Sequence, residues 1–299
     1  MQADTPSGGR TGTRLTSFVN DGLTFDVIDE GPLDGIPIVL LHGFPQTAAQ
    51  WSRLTPFLHE RGYRTLAPDQ RGYSPGARPD GRFAYRISAL VGDTAALITA
   101  LGGEPVHLVG HDWGSTVAWS TAARHPQLVR TLTSISVPHP MAFARSLVSS
   151  SQALRTCYMA LFQVPWIPEV VLSAAFRAAG SAGDTSLRRR AAALSGLDEE
   201  QLARLRRDIV DGGALHYALN WYRAIPIVDR RRAGQKVSAP TTHVSSTRDV
   251  FIARRGAELT AEYVTGPFDH EILDATHWVP EERPAELAAI ILARTRAAG

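Results

Sequence analysis

Cys157 is the only cysteine, so no disulfide can close within the chain and no thiolate metal cluster can form. This fits a reducing compartment. Long apolar runs are also missing. The longest, residues 36–41 and 288–293, are strand- or helix-sized and far short of the roughly twenty residues a membrane helix needs. Neither sign of charge dominates: 31 Lys plus Arg stand against 29 Asp plus Glu, a formal balance of +2. Such a balance gives no bulk reason to expect nucleic acid or an acidic membrane as a partner. Residues 1–15 lack the apolar stretch of a secretory signal and read as a mobile tail, with the cytoplasm as the expected location. No H-E-x-x-H and no G-x-x-x-x-G-K string occurs, so no metal and no organic cofactor is expected.

What the chain has is a core. Of its 299 residues 44% are apolar and 20% charged, which excludes disorder over most of its length. Residues 16–19 and 23–29 flank Asn20-Asp21-Gly22, the mark of a hairpin. Residues 36–41 form an apolar, β-branched run typical of a strand buried on both faces. A helix over 48–60, a strand over 64–67, a helix over 88–101 stopped by Gly102-Gly103, a strand over 106–109, a helix over 115–124 and a strand over 132–137 follow. Alternation of buried strand and helix predicts a mainly parallel sheet covered on both sides. From 138 to 229 the pattern is helical. Its arginine runs, Arg188-Arg189-Arg190 and Arg206-Arg207, with Arg230-Arg231-Arg232 just beyond, read as solvated helix surface. Strand signals resume at 241–245 and 271–273, and a helix over 286–296 closes the chain. The predicted fold is α/β: a core in two parts, 16–137 and 230–299, with an inserted helical cap at 138–229 over the carboxyl ends of the strands, where ligands of open sheets bind.

Val109-Gly110-His111-Asp112-Trp113-Gly114-Ser115 lies between a predicted strand and a predicted helix. Small residues at 110, 114 and 115 permit a sharp turn that lifts residue 112 above the sheet, the geometry of a nucleophile elbow. Hydrolases usually place Ser there; here it is Asp112. A carboxylate in that position can attack an epoxide carbon or a carbon–halogen centre and form an alkyl ester. The plain alternative is that Asp112 caps the following helix. His42-Gly43-Phe44-Pro45 follows the strand over 36–41, where the N–H of Phe44, with that of Trp113, would form an oxyanion hole. Asp274-Ala275-Thr276-His277-Trp278 supplies the last histidine of the chain, His277, a candidate general base. Asp249, just beyond the strand over 241–245, is the favoured acid to hold it, with Asp269 and Asp274 as competitors.

These strings resemble those of an epoxide hydrolase of the α/β-hydrolase superfamily, in the branch with an Asp nucleophile that also includes dehalogenases. The resemblance covers nearly the whole chain after the tail. It implies an inserted lid, matching 138–229, and two lid tyrosines that hydrogen-bond the epoxide oxygen. Tyr158, in Tyr158-Met159-Ala160-Leu161-Phe162-Gln163-Val164-Pro165, and Tyr222, in Leu219-Asn220-Trp221-Tyr222-Arg223, occupy the corresponding segments. A ring-opened alkoxide is a poor leaving group, so a phenol beside it makes chemical sense. Trp166, Phe176 and Trp221 suggest an apolar pocket, with Trp113, Phe44 and Trp221 touching a small, apolar epoxide. A monomer or homodimer is expected. The rival readings are a haloalkane or haloacid dehalogenase using Asp112, His277 and Asp249, and a catalytically silent ligand-binding protein on the same scaffold.

Overall fold

The computed structural model describes residues 13–179, 197–227 and 234–297. Eight strands form one sheet: β1 Ser17–Asn20, β2 Leu23–Glu30, β3 Ile36–Leu41, β4 Tyr63–Pro68, β5 Val106–His111, β6 Val129–Ile135, β7 Thr241–Ser246 and β8 Phe268–Leu273. Their order is β1-β2-β4-β3-β5-β6-β7-β8. The first two pairings, β1 with β2 and β2 with β4, are antiparallel, and all the others are parallel. The hairpin forms where Asn20-Asp21-Gly22 indicates it. Asp21 and Gly22 both take positive φ, 50° and 74°, as a tight turn matched to strand twist requires.

Burial follows strand periodicity. Ile38 and Leu40 of β3 enter one hydrophobic cluster, with Trp51, Leu54, Leu58, Leu287 and Ile291. Val39 and Leu41 enter the other, with Trp119, Trp221 and Tyr222. One strand thus holds both faces of the sheet, because successive side chains point to opposite sides. Pro37 is tolerated in this central strand because pairing with β5 begins only at Ile38, so the missing N–H removes no bond on that side.

The single helix expected over 48–60 is two pieces, a 3₁₀ turn Ala48–Arg53 and a short α-helix Thr55–His59. Pro56 has no N–H to continue the ladder, so the helix restarts there. The helix Ile87–Ala100 ends where expected, with Gly102 and Gly103 at φ 109° and 78° and the Gly103 N–H donating to Ile98 O (3.0 Å). Between β6 and β7 the described residues contain no strand; they run through helices that include Pro140–Ser149, Ile167–Ala179, Glu199–Leu205 and Leu215–Arg223. Of the arginine runs, Arg206 and Arg207 pair with Asp211 and Asp208 at the surface, while Arg188-Arg189-Arg190 and Arg230-Arg231-Arg232 lie outside the described residues. At the chain's start Arg14 and the Leu15 N–H are already bonded to Asp29 of β2. Among the described residues no helix is long and apolar enough to cross a membrane.

Candidate active site

The carboxyl ends of five neighbouring strands, in sheet order β3, β5, β6, β7 and β8, lead into one group of side chains. After β5 the chain turns at Asp112, φ 52° and ψ −120°, into the helix Trp113–Arg124. Such a backbone is costly for a residue with a Cβ and persists only when its surroundings over-determine it. Here they do. A Cβ on Gly114 would stand 2.0 Å from Leu41 O, one on Gly110 2.3 Å from Gly114 O, and one on Gly43 2.4 Å from the Asp112 Cβ. These glycines let the turn close against β3, and they account for the small residues of the motif.

The Asp112 side chain makes no capping bond to its own helix, which removes the plain alternative. Its Oδ1 accepts from the Phe44 N–H (2.8 Å), and its Oδ2 lies 3.5 Å from His277 Nε2. Burial pushes this carboxyl up, but the hydrogen bond and charge of His277, together with the Phe44 N–H, hold it below the ordinary value. It is an anion at neutral pH.

His277 Nδ1 lies 2.9 Å from Asp249 Oδ2. Asp249 also accepts from Phe251 N–H (2.8 Å) and Ile252 N–H (2.9 Å) on Oδ1 and from the Ser136 hydroxyl (2.6 Å) on Oδ2. Burial disfavours its charge, but His277 and these donors outweigh burial and hold it well below the usual carboxylate range. Burial would likewise lower His277; the charge of Asp249 and the bonds to Asp112 and Asp249 raise it to about 10. The competing acids are elsewhere: Asp274 is exposed and bonds Thr247 and Arg248, and Asp269 pairs with Arg294.

One serine also sits in a G-x-S-x-G string, Gly72-Tyr73-Ser74-Pro75-Gly76. It is no rival to Asp112. Ser74 is fully buried ahead of a 3₁₀ turn, not on a strand-to-helix elbow, and its Oγ accepts from the Asp26 N–H (2.7 Å).

The ring centroids of Tyr158 and Tyr222 are 6.2 Å apart. Tyr222 stands edge-on to Phe44 and Trp113, both at 5.2 Å, and Tyr158 packs on Phe162 and Phe251. Burial raises both phenols well above the ordinary value, and the charge of Asp112 adds to each rise. Both therefore remain protonated donors at neutral pH. Asp112, Trp113, Tyr158 and Trp221 line a cavity of about 400 Å³. Its far wall is apolar, built by Met141, Phe143, Ala144 and Leu147 of the helix Pro140–Ser149. Trp221 also donates its indole N–H to Arg71 O (2.7 Å). Trp166, by contrast, is 75% exposed and absent from the cavity wall. It follows Pro165 at φ 64°, which turns its ring outward. Phe176 packs on the hydrophobic core.

Sequence reasoning missed two neighbours of the site. Ser136, past β6, carries no motif. Glu281 is buried near His277, where it accepts from Gln46 Nε2 (2.8 Å) and faces Gln50. Gln50 in turn contacts His111 Nδ1 (2.7 Å), and the other ring nitrogen of His111 lies 2.9 Å from His277 O.

Comparison with known proteins shows the family of the chain. The profile of the alpha/beta hydrolase fold matches residues 36–284. The AB hydrolase superfamily protein YfhM of Bacillus subtilis is 35% identical over 92% of this chain and 96% of its own length. Epoxide hydrolase A of Mycobacterium tuberculosis is 31% identical over 91% and 94%, and human epoxide hydrolase 4 is 31% identical over 91% and 76%. Among solved structures, epoxide hydrolase A of Mycobacterium thermoresistibile superposes with a TM-score of 0.76 at 27% identity, covering 94% of this chain and 97% of its own. Potato epoxide hydrolase I gives 0.76 at 27% identity, over 94% and 98%. The chain belongs to the α/β-hydrolase fold family, among its epoxide-hydrolase-like members.

Proposed function

We propose that this protein hydrolyses epoxides to vicinal diols through an ester on Asp112, beneath a cap formed by residues 138–229. The observation that carries the reading is a buried carboxylate at the elbow, with a backbone N–H on one oxygen, an imidazole beside the other, and a protonated phenol, Tyr158, on the wall of the same apolar cavity, its ring centroid 6.2 Å from that of the second phenol, Tyr222.

In the first step Tyr158 and Tyr222 donate to the epoxide oxygen while Asp112 attacks a ring carbon. The carbon–oxygen bond breaks, the oxygen takes a proton from one of the two phenols, and a hydroxyalkyl ester and a phenolate remain, the phenolate regaining its proton as the His277 imidazolium gives one up. Forming the ester removes the charge of Asp112. That charge and its hydrogen bond are among the causes that raise His277, so alkylation itself lowers the basicity of the imidazole and favours its neutral form. His277, held by Asp249, then takes a proton from water. The hydroxide attacks the ester carbonyl and the N–H groups of Phe44 and Trp113 hold the oxyanion; the intermediate then collapses, the departing alkoxide takes the proton of the added hydroxyl, and the diol leaves with the Asp112 carboxylate and the His277 imidazolium restored. The mostly apolar cavity suits an epoxide with a substantial hydrocarbon body.

The paired phenols favour an epoxide over a carbon–halogen bond, because halide departs as a stable anion and needs no proton. Single turnover in heavy-oxygen water tests the ester. The first diol should carry the original oxygen of Asp112, and solvent label should appear in later turnovers. Full label in the first diol sinks the ester, and release of halide without diol formation from matched substrates sinks the choice of substrate.

A further inference from the structure

Ser136 follows β6, between the strand that leads to the nucleophile and the strand that leads to the acid. It is buried, and its backbone lies at φ 69°, where side chains other than glycine, Asn and Asp are uncommon. Its N–H donates to Val244 O of β7 (2.8 Å), which fixes it to the neighbouring strand. Its hydroxyl closes a triangle. Ser136 Oγ is 2.6 Å from Asp249 Oδ2 and 2.9 Å from His277 Nδ1, while Nδ1 and Oδ2 are themselves 2.9 Å apart.

A hydroxyl has one proton to give. When His277 is the base, its free lone pair is on Nε2, facing Asp112, and Nδ1 carries the hydrogen. The Ser136 proton must then go to Asp249 Oδ2, with a serine lone pair turned to the Nδ1–H. Phe251 and Ile252 occupy Oδ1, so each oxygen of Asp249 receives two donors. We propose that Ser136 is a positioning residue for the Asp249–His277 pair: its hydroxyl orients the shared carboxylate oxygen, disperses its charge, and selects the imidazole tautomer with Nε2 open toward Asp112. The proposal rests on the reading of Asp112 as the ester-forming group and His277 as the base.

Without the hydroxyl the charge of Asp249 is less dispersed and holds an imidazolium more strongly, so His277 is neutral less often near pH 7. The ionisable groups around the ring are Asp112, Asp249, the neighbouring His111 (ring centroids 4.9 Å) and Glu281; Phe251 and Trp278 supply neutral walls. Of these groups only Asp249 bonds Ser136, so a change at 136 reaches the ring through Asp249 and leaves the others in place.

The test uses Ser136→Ala and Ser136→Gly in the full chain, the second because glycine relaxes the φ of 69° while removing the hydroxyl. His277 is titrated by NMR of the labelled imidazole, and alkylation and ester hydrolysis are timed separately in single turnover. The expected result for both variants is an upward shift in the His277 midpoint of about half to one unit. Ester hydrolysis at neutral pH should fall by about three- to tenfold, with alkylation within about twofold of wild type. A Gly variant that melts at or above wild type with an unmoved His277 midpoint and unchanged hydrolysis overturns the proposal. Should the wild-type protein form no ester with any epoxide, the mechanistic reading falls, while the imidazole titration still decides the role of Ser136.

Discussion

Asp21 turns a hairpin at φ 50°, and Asp112 turns a strand into a helix at φ 52°. The Asp21 side chain is 69% exposed and sits 3.6 Å from Arg71, and a Cβ on its neighbour Gly22 would meet nothing within 4 Å. Asp112 is packed among glycines that have no room for a methyl group, with both carboxylate oxygens engaged. The same backbone angle is therefore local turn chemistry in one place and a shape imposed by the rest of the molecule in the other. Only the second position can aim a side chain, because aiming requires that the surroundings leave no alternative.

The contrast can be broken most sharply by removing each carboxylate. Asp112→Ala should lower diol formation by at least about a thousand-fold, whereas Asp21→Ala should leave turnover unchanged; steady-state assays on one epoxide decide it. Next come the glycines. Gly114→Ala drives a Cβ into Leu41 O and should cost about 3 kcal/mol or prevent folding, while Gly22→Ala suffers only its dihedral, about 1–2 kcal/mol. Urea denaturation of both variants measures the difference, and equal costs would end the comparison.

A third carboxyl extends it to charge. Burial raises Glu281 to about 8, against 4.5 for the ordinary group. The folded state keeps that proton where the unfolded chain releases it, so stability falls as pH rises from about 4.5 toward 8. Glu281→Gln should flatten this part of the melting-temperature profile, and an unchanged slope would contradict it. The smallest effect is expected from Asp21→Gly, which fits the hairpin dihedral and should change stability by no more than about 0.5 kcal/mol.

The legible parts of the molecule were those governed by local chemistry. The run over 36–41 announces a buried strand through its composition, Gly102-Gly103 stops a helix through backbone freedom, and Asp112 stands in a string whose small residues have a steric reason. Asp249 and His277 could be ordered along the chain because a parallel sheet brings strand ends to one edge. Other features could not be read. The break at Pro56 depends on whether packing rewards a continuous helix. The outward ring of Trp166 depends on a backbone angle that no composition encodes. Ser136 and Glu281 gain their importance from neighbours more than a hundred residues away, and a serine or a glutamate has no spacing to betray that.

The sheet has an unequal pair of strands beneath this chemistry. Every residue of β5, which carries the elbow, is buried, while none of β8, the outermost strand leading to His277, is buried. Edge elements open at lower free energy than central ones. On the proposed mechanism, attack and release thus sit on foundations of different firmness. Mild denaturant should disable release first, and the protein would then accumulate as its own trapped adduct, detectable by intact mass, before its fold gives way.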